Sequence, residues 1–518
     1  MIGVGLLLCA CAFDLVPQER EYLPIAGLQR DRDGAAQSGD WFRGPVPETG
    51  SAGFWARSEL GPSTEDVIAI AEHRFAAATG AGLLQIAAAP APHCLLVLGP
   101  APLRAELRAF LGAVEARQAR RIAIEIAAFA CDDEPERVST RWPGPPPTAL
   151  RRLCNGTGAV TVDSIRVLDC VRRVPLLECW DAERALRPGE FAHDPCVAAV
   201  ESGLRVLVLA SSLGDAADGI LLSAGFAFAA GDAPPRPAPS GLAGTPEHDV
   251  AERAVFSGVM RAAIRSGETL VAWSLGDPRE GPRFAIGVRA RWLDPAPPVP
   301  GMAVLPIAAL SARRLASRDD EDGPFTSPLG QELADDLTRS AGVDEATVVA
   351  PFGQQLVVIG DEHAREAVAR ELARRIAVRT ESIELECVTR ARDGALRHRL
   401  VVPVLATAPL GFRRGTESRR AVGLGLDIDM VVLGPSLRIA TVFEGLSLDG
   451  RFDRGDGRDF AALKLRASRS SADERATRRA GTSALELRSL AIDDAGYEGA
   501  IERGLGVPLG AWGTVMIR

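Results

Sequence analysis

Two segments of this 518-residue chain share one design at a constant spacing. Residues 94–114 (CLLVLGPAPLRAELRAFLGAV) and 355–375 (QLVVIGDEHAREAVARELARR) each combine an apolar strand, a glycine turn and an amphipathic helix. Leu95 aligns with Leu356 at an offset of 261 residues. The same offset pairs further positions: Gly99 with Gly360, Ile122 with Ile383, Ile124 with Leu385, and Ile126 with Cys387. Because the match is ungapped, we interpret the chain as an internal duplication.

Each copy is predicted to begin with a small α/β module, at residues 59–131 and 302–390. The expected order is helix, strand, strand, helix, strand, which makes a compact two-layer sandwich. In the first module, the helical pattern of residues 64–80 begins at Thr64, a residue type that caps helix N-termini.

After each module the pattern changes to strand-like runs joined by Gly, Asp and Pro turns, at residues 150–293 and 395–518. The predicted fold class is therefore α+β, with two tandem units that each pair an α/β module with a β-rich region. Three proline-rich stretches read as linkers or loops: 141–149, 232–241 and 294–301. The last of them lies between the two copies and marks their boundary.

The composition is that of a globular protein, with 47% hydrophobic and 25% charged residues. The net charge of −9 argues against a nucleic-acid partner. Aromatic residues make up only 5% of the chain, which disfavours platforms on which bases stack.

The first thirteen residues, MIGVGLLLCACAF, form a short apolar leader without a preceding Lys or Arg. Residues 8–11 (LCAC) loosely resemble a bacterial lipobox, which would make Cys11 the lipidated residue. The alternative is a cleaved or truncated signal peptide. Either interpretation favours export to the cell envelope, and residues 14–58 are expected to form a linker.

The body of the chain contains seven cysteines at irregular spacing, without a C-x-x-C pair for zinc. Four of them fall in one region and are expected to pair if the protein is periplasmic: Cys154, Cys170, Cys179 and Cys196. The spacing leaves their connectivity open.

His193, Asp194 and Cys196 lie within four positions of one another and raise the question of a catalytic or metal site. Asp194-Pro195 is a turn signal, and Gly203 then opens an alternating strand, so we predict a polar turn. The other histidines lack metal-ligand spacing, and residues 423–430 (GLGLDIDM) alternate as a strand instead of opening a dinucleotide-binding helix. We therefore expect no catalytic residues, no metal and no cofactor.

An α/β module followed by a β-rich region with a Gly-Glu-Thr turn resembles the secretin family, the ring-forming outer-membrane channels of type II and type III secretion and type IV pilus systems. Residues 192–229 are similar to one stretch of the family pattern, in which Gly203 belongs to the secretin-like turn that opens a strand. Residues 264–278 resemble the stretch that follows, and the residues at the turn are Gly267, Glu268 and Thr269.

The resemblance implies a non-catalytic protein of the periplasm or outer membrane that self-associates or binds other secretion-system or envelope proteins. The second copy has DDAGYEGAIERG at 493–504 in place of the Gly-Glu-Thr turn, so a divergent or accessory form is expected. The alternative is a periplasmic ligand-binding or scaffold protein with a cleft between the duplicated halves. That alternative predicts a buried pocket at residues 290–305.

Overall fold

The computed structural model describes the chain in segments. They are residues 19–26, 28, 62–132, 138–145, 150–162, 164–183, 192–213, 219–230, 236–238, 248–250, 252–277, 282–294, 299, 301–307, 328–344, 346–353, 355–379, 382–390, 392–405, 409–429, 432–455, 458–480, 483–502, 505–508 and 514–517. We call residues 19–292 the first half and residues 302–517 the second half.

The protein is α+β, and most of its described residues lie in strands. Before residue 131 the elements are β1 (Glu19–Pro24), α1 (Thr64–Arg74), α2 (Ala76–Gly80), β2 (Gln85–Ala88), β3 (Cys94–Gly99), α3 (Ala101–Gln118) and β4 (Arg121–Ala130). The rest of the first half forms β5 (Arg141–Trp142), β6 (Arg151–Thr161), β7 (Ile165–Glu183), β8 (Ala192–Ser212), β9 (Gly219–Ala230), β10 (Arg236–Ala238), β11 (His248–Val250), β12 (Glu252–Arg265), β13 (Thr269–Gly276) and β14 (Phe284–Trp292).

The second half opens with the same kinds of element. These are β15 (Met302–Pro306), α4 (Pro328–Ala341), β16 (Val348–Phe352), β17 (Gln355–Ile359), α5 (Glu362–Arg379) and β18 (Ser382–Arg390). The remaining elements are β19 (Leu396–Leu405), β20 (Pro409–Asp429), β21 (Val432–Gly455), β22 (Arg458–Ala480), β23 (Ser483–Glu502), β24 (Gly506–Pro508) and β25 (Thr514–Ile517).

The two α/β modules are built alike. Each contains a three-stranded antiparallel sheet, of order β1-β3-β2 in the first half and β15-β17-β16 in the second. The offset of 261 residues carries the first residues of β3, α3 and β4 onto those of β17, α5 and β18. The helices, strands and turn that we predicted from this offset are therefore present in both places.

The strand β1 lies in the segment 14–58, which we predicted to be a linker, and that prediction is corrected for this stretch. A repeated tripeptide, Leu-Pro-Ile, ends the strand region at residues 23–25 and again at 305–307. In the first half Leu23 lies opposite Leu95, and in the second half Leu305 lies opposite Leu356. Leu95 and Leu356 are the two residues that the offset of 261 aligns. Each module thus begins with a strand that our predicted order lacked, and the strand that we predicted to end it, β4 or β18, belongs instead to a larger sheet.

Helix α1 begins one residue earlier than we predicted, because Ser63 and not Thr64 is its N-cap. The Ser63 Oγ accepts a hydrogen bond from the Asp66 backbone N–H at 3.1 Å. The Asp66 carboxylate accepts one from the Ser63 N–H at 2.8 Å. Together these two bonds form a capping box that satisfies otherwise unpaired donors at the helix start.

The β-rich regions of the two halves share two large sheets instead of forming one separate body each. One sheet has the order β23-β22-β21-β20-β12-β9-β8-β7, and the other has the order β24-β25-β18-β19-β13-β14-β4-β6, with β5 beside β13. In each sheet, four strands of the second half repeat the order of four strands of the first. By position, β20 is the counterpart of β7, β23 of β12, and β19 of β6.

The main core lies between the two large sheets. Leu204, Val206 and Val208 of β8 are fully buried in it, as the alternation of that strand predicts. Alternate isoleucines of β4, at 122, 124 and 126, enter the same core from the other sheet. Burying each such side chain stabilises the fold by about 2 kcal/mol before entropy is counted.

Candidate assembly interface

The two halves meet where a strand of one pairs with a strand of the other in each large sheet. In the first sheet, β12 residues 252–258 lie antiparallel to β20 residues 412–418. In the second, β13 residues 273–276 lie antiparallel to β19 residues 398–401. We call these four paired segments the internal joint. Edge-to-edge pairing of this kind is how one sheet is extended by another.

Shape fit at the internal joint depends on the residue Gly258. Phe412 lies opposite it and is 1% exposed. A Cβ at Gly258 would lie 2.2 Å from the Phe412 ring, far inside van der Waals contact. The absent side chain therefore makes room for an aromatic ring of the other half.

Charge also crosses the internal joint. The Arg253 guanidinium of β12 lies 2.7 Å from the Glu417 carboxylate of β20, whose side chain is only 3% exposed. Arg413 pairs with the same carboxylate at 3.2 Å, and Arg253 also donates to the Glu201 backbone carbonyl at 2.8 Å. A buried carboxylate needs such partners, because an unpaired buried charge is strongly destabilising.

The buried Arg414 ties the two sheets together at the internal joint. Its guanidinium donates to the Leu275 carbonyl of β13 and lies 3.0 Å from the Nδ1 atom of His398 in β19. Burial, together with the positive charges of Arg414 and Arg397, lowers the pKa of His398 to about 3. The imidazole is therefore neutral at physiological pH, which lets Nδ1 accept a hydrogen bond from Arg414.

Two cysteines occupy the corresponding positions at the outer edge of the first half. Both are partly exposed. Each lies 244 residues before its counterpart in the second half: Cys154 before His398, and Cys170 before Arg414. The cross-strand partners give the correspondence: Cys154 with Ala128, His398 with Thr389, Cys170 with Leu204, and Arg414 with Leu446. We call the outer side of β6 and β7 the free edge.

Gly203, which we placed in a secretin-like turn, lies inside the strand β8. Its φ of +118° favours glycine, and a Cβ there would lie 2.2 Å from the Cys170 carbonyl oxygen. Gly445 of β21 is its counterpart, with a Cβ position 2.2 Å from the Arg414 oxygen. Glycine at this position lets neighbouring strands approach closely in both halves.

The Gly-Glu-Thr segment forms a turn, as predicted, between β12 and β13. Gly267 has φ +93°, its N–H donates to the Ala290 carbonyl at 2.7 Å, and the Glu268 carboxylate accepts from the Arg265 N–H at 2.8 Å. Thr269 begins β13 and donates to the Gly144 carbonyl at 2.7 Å. These residues hold the chain where it passes from one large sheet to the other.

Our prediction of a turn at Asp194-Pro195 is wrong. The strand β8 runs unbroken from Ala192, and its backbone stays paired with β7, Asp181 opposite Asp194 and Trp180 opposite Pro195. The continuous partner strand overrides the local turn signal. His193 and Cys196 belong to the same strand, and their side chains lie outside the described residues, as does the whole of Cys11. By contrast, β20 extends through residue 429, so the predicted strand at 423–430 is confirmed for its described part.

Sequence reasoning missed the residues of the internal joint. Arg253, His398, Arg414 and Glu417 are charged or polar residues, which are usually assigned to the solvent-facing surface. The available signal was the consecutive pair at 413–414, which places a charge on both faces of one strand. Among the residues that the structure describes, no group of His, Cys, Asp and Glu is arranged to hold a metal ion, and no helix is long and apolar enough to cross a membrane.

No family model and no curated protein matches the chain. Among solved structures, it is similar to the InvG secretin domain β-barrel from the Salmonella SPI-1 injectisome, with 12% identity over 63% of this chain and 94% of that chain, at a TM-score of 0.22. It is also similar to the V. cholerae type IV competence pilus secretin PilQ, with 10% identity over 54% of this chain and 79% of that chain, at a TM-score of 0.21.

Proposed function

We propose that this chain is a non-catalytic structural protein of the bacterial cell envelope, a divergent or accessory relative of the secretins that assembles by pairing sheet edges. Its partners are further copies of the same chain, alone or with other envelope or secretion-system proteins, in the periplasm or at the outer membrane. The sequence resemblance suggests the envelope location, and the internal joint supports assembly.

The observation that carries the proposal is the repeated strand order of both large sheets. The first half ends its sheet with β12, and the second half adds β20, the counterpart of β7, onto that edge. The second half in turn ends with β23, the counterpart of β12. A second chain offering its own β7 to this β23 would repeat the internal joint between chains. Such head-to-tail contacts form a ring if the rotation between neighbouring chains closes, and an open filament if it does not.

The strand β7 has the features of an edge that pairs over a limited length. In the described part of the sheet, β7 is hydrogen-bonded to β8 alone and β23 to β22 alone. The Cys170 carbonyl faces β8, so alternation turns the backbone of Arg173 and Pro175 toward the free edge. The missing N–H of Pro175 then falls on that edge, the usual place for proline in a sheet.

The length of the strand pairing in the internal joint agrees with a pairing segment that ends at Pro175. β20 pairs with β12 through residues 412–418, and the corresponding stretch of β7 is residues 168–174. That stretch ends immediately before Pro175. The proline therefore leaves intact the whole segment that a neighbouring chain would use.

Val299 of the linker and Met302, the first residue of β15, are both buried, which favours assembly over a ligand-binding cleft. Val299 is 4% exposed and Met302 is 3% exposed. Both join a core that contains Ile70 of α1 and Phe352 of β16, so the first module packs directly on the second. Around Val299 and Met302, side chains from both halves pack together.

The test is the mass of the detergent-extracted native protein, measured by light scattering, together with its distribution between membrane and soluble periplasm. Edge pairing predicts a particle of many chains in the membrane fraction. A strict monomer in the soluble periplasm would contradict the proposal.

A further inference from the structure

The free edge brings two strands of different sheets unusually close together. Packed sheets are usually about 10 Å apart. Here β6 carries glycines at 156 and 158 on the side that faces β7. A Cβ at Gly156 would lie 3.4 Å from the Asp169 backbone oxygen, and one at Gly158 would lie 2.4 Å from the Leu168 side chain. The strands approach because these two positions have no side chains.

Cys154 and Cys170 lie beside these positions, and their thiols are in hydrogen-bonding contact. The Cys170 Sγ atom also lies 3.6 Å from the Leu204 carbonyl oxygen, and the Cys154 thiol interacts with the backbone of the same residue. The hydrogen bond from Cys154 lowers the pKa of Cys170 to about 7, while the same contact and burial raise the pKa of Cys154. A thiolate at Cys170 is thus available near neutral pH, and the thiolate is the reactive form.

The corresponding place in the internal joint is built for longer side chains. The counterparts of Gly156 and Gly158 are Leu400 and Val402, which are both buried. There the gap between the sheets is bridged by His398 and Arg414. The same pair of strands is therefore connected in two ways. At the free edge, glycines bring the strands close enough for two short thiols to meet, and in the internal joint, large residues take the place of the glycines and long polar side chains span the gap.

The other two cysteines of this region lie opposite each other in backbone register. Cys179 of β7 is paired with Cys196 of β8. Directly opposed residues of antiparallel strands have Cα atoms about 4.5–5.5 Å apart. Disulfides need about 4.4–6.8 Å, so the register meets the distance requirement.

We propose that these four cysteines form two disulfides, Cys154–Cys170 across the two large sheets and Cys179–Cys196 across the β7–β8 hairpin. With glutathione disulfide as the oxidant, the Cys170 thiolate attacks one glutathione sulfur and releases the first glutathione thiolate. Cys154 loses its proton and attacks the Cys170 sulfur, which releases the second. Two protein thiols are oxidised to one disulfide, and one glutathione disulfide is reduced to two glutathione thiols.

The disulfide connectivity can be measured by peptide mapping, because trypsin sites separate the four cysteines. Trypsin cleaves after Arg and Lys but not before Pro, so the four cysteines fall on four separate peptides: 153–166, 167–172, 174–184 and 185–205. The folded full-length chain is incubated with glutathione disulfide, denatured, alkylated and digested without reduction. We expect mass spectrometry to find 153–166 linked to 167–172, and 174–184 linked to 185–205. Cys131 and Cys387, which are buried and unpaired with each other, are expected to be alkylated.

The proposal is overturned if Cys154 and Cys170 are both alkylated, if either is linked to Cys179 or Cys196, or if the bonds join two chains on a non-reducing gel. In Cys170→Ser, Cys154 should become alkylated while the 174–184 to 185–205 link persists. The matched control Cys131→Ser should keep both links. The wild-type map decides the connectivity even if a variant fails to fold, and it is independent of whether the chain assembles.

Discussion

The internal joint and the free edge contain corresponding strands of the two halves, with a paired neighbouring strand from the other half in the internal joint and, among the described residues, without one at the free edge. In the internal joint, β19 and β20 have a neighbour, and Glu417 and Arg414 are buried because β12 and β13 supply Arg253 and the Leu275 carbonyl. At the free edge, the described parts of the counterparts β6 and β7 are each hydrogen-bonded to one strand alone, β4 and β8 respectively.

The difference lies in a few positions. His398 and Arg414 are replaced by Cys154 and Cys170, which are partly exposed and contact each other without a partner from another half. Glu417 is replaced by Arg173, an exposed residue that pairs with Glu201 of its own half at 2.9 Å. A strand that meets its partner within the chain can therefore bury charge, whereas Arg173 on the edge strand keeps its charge exposed to solvent.

The largest effect is expected from Glu417→Ala. This change leaves Arg253 and Arg413 without their carboxylate, and breaking a buried pair costs about 3–5 kcal/mol. The matched change at the free edge is Arg173→Ala, because Arg173 stands at the position equivalent to Glu417 and its exposed pair with Glu201 contributes about 1 kcal/mol or less. Urea unfolding of both variants measures the two free energies. Equal losses would show that the internal joint is not distinct from the free edge.

The next effect is expected from Gly258→Ala, which places a methyl group against the Phe412 ring. Overpacking of this kind costs about 1–3 kcal/mol. The control is Gly112→Ala in α3, where a Cβ meets nothing within 4 Å and alanine favours the helix by about 1 kcal/mol. We expect thermal unfolding to show the two alanines acting in opposite directions. A neutral Gly258→Ala would mean that the fit to Phe412 is loose.

A smaller effect is expected from the pH dependence of the internal joint. The pKa of His398 is lowered from an ordinary 6.5 to about 3, so the unfolded chain binds the proton more tightly. The contribution of this residue to stability is complete above pH 6.5 and is lost as the pH falls toward 3. Between pH 6.5 and 5 the loss amounts to about 1.5 kcal/mol.

The variant His398→Gln keeps a polar side chain without this titration. We therefore expect its unfolding free energy to change less than that of the wild type between pH 6.5 and 5. Parallel curves for the two proteins would show that His398 is not buried in its neutral form.

The sequence was sufficient to predict those elements that have a strong local pattern of apolar residues. The offset that aligns Leu95 with Leu356 located the modules, and the alternation at Leu204 located a buried strand face. It was insufficient where distant strands decide the outcome. The burial of Glu417 depends on β12, more than 150 residues earlier in the chain, and the β8 strand through Pro195 depends on pairing with β7.

The most direct test of assembly through sheet edges compares two substitutions of one residue. Arg173→Pro removes a backbone N–H that faces the free edge, while Arg173→Ala removes the same side chain and its pairing with Glu201 but keeps that N–H. Light scattering of the native particles is the measurement. Our account predicts that Arg173→Ala retains the large particle and Arg173→Pro falls to a single folded chain. Identical masses for the two variants would contradict it.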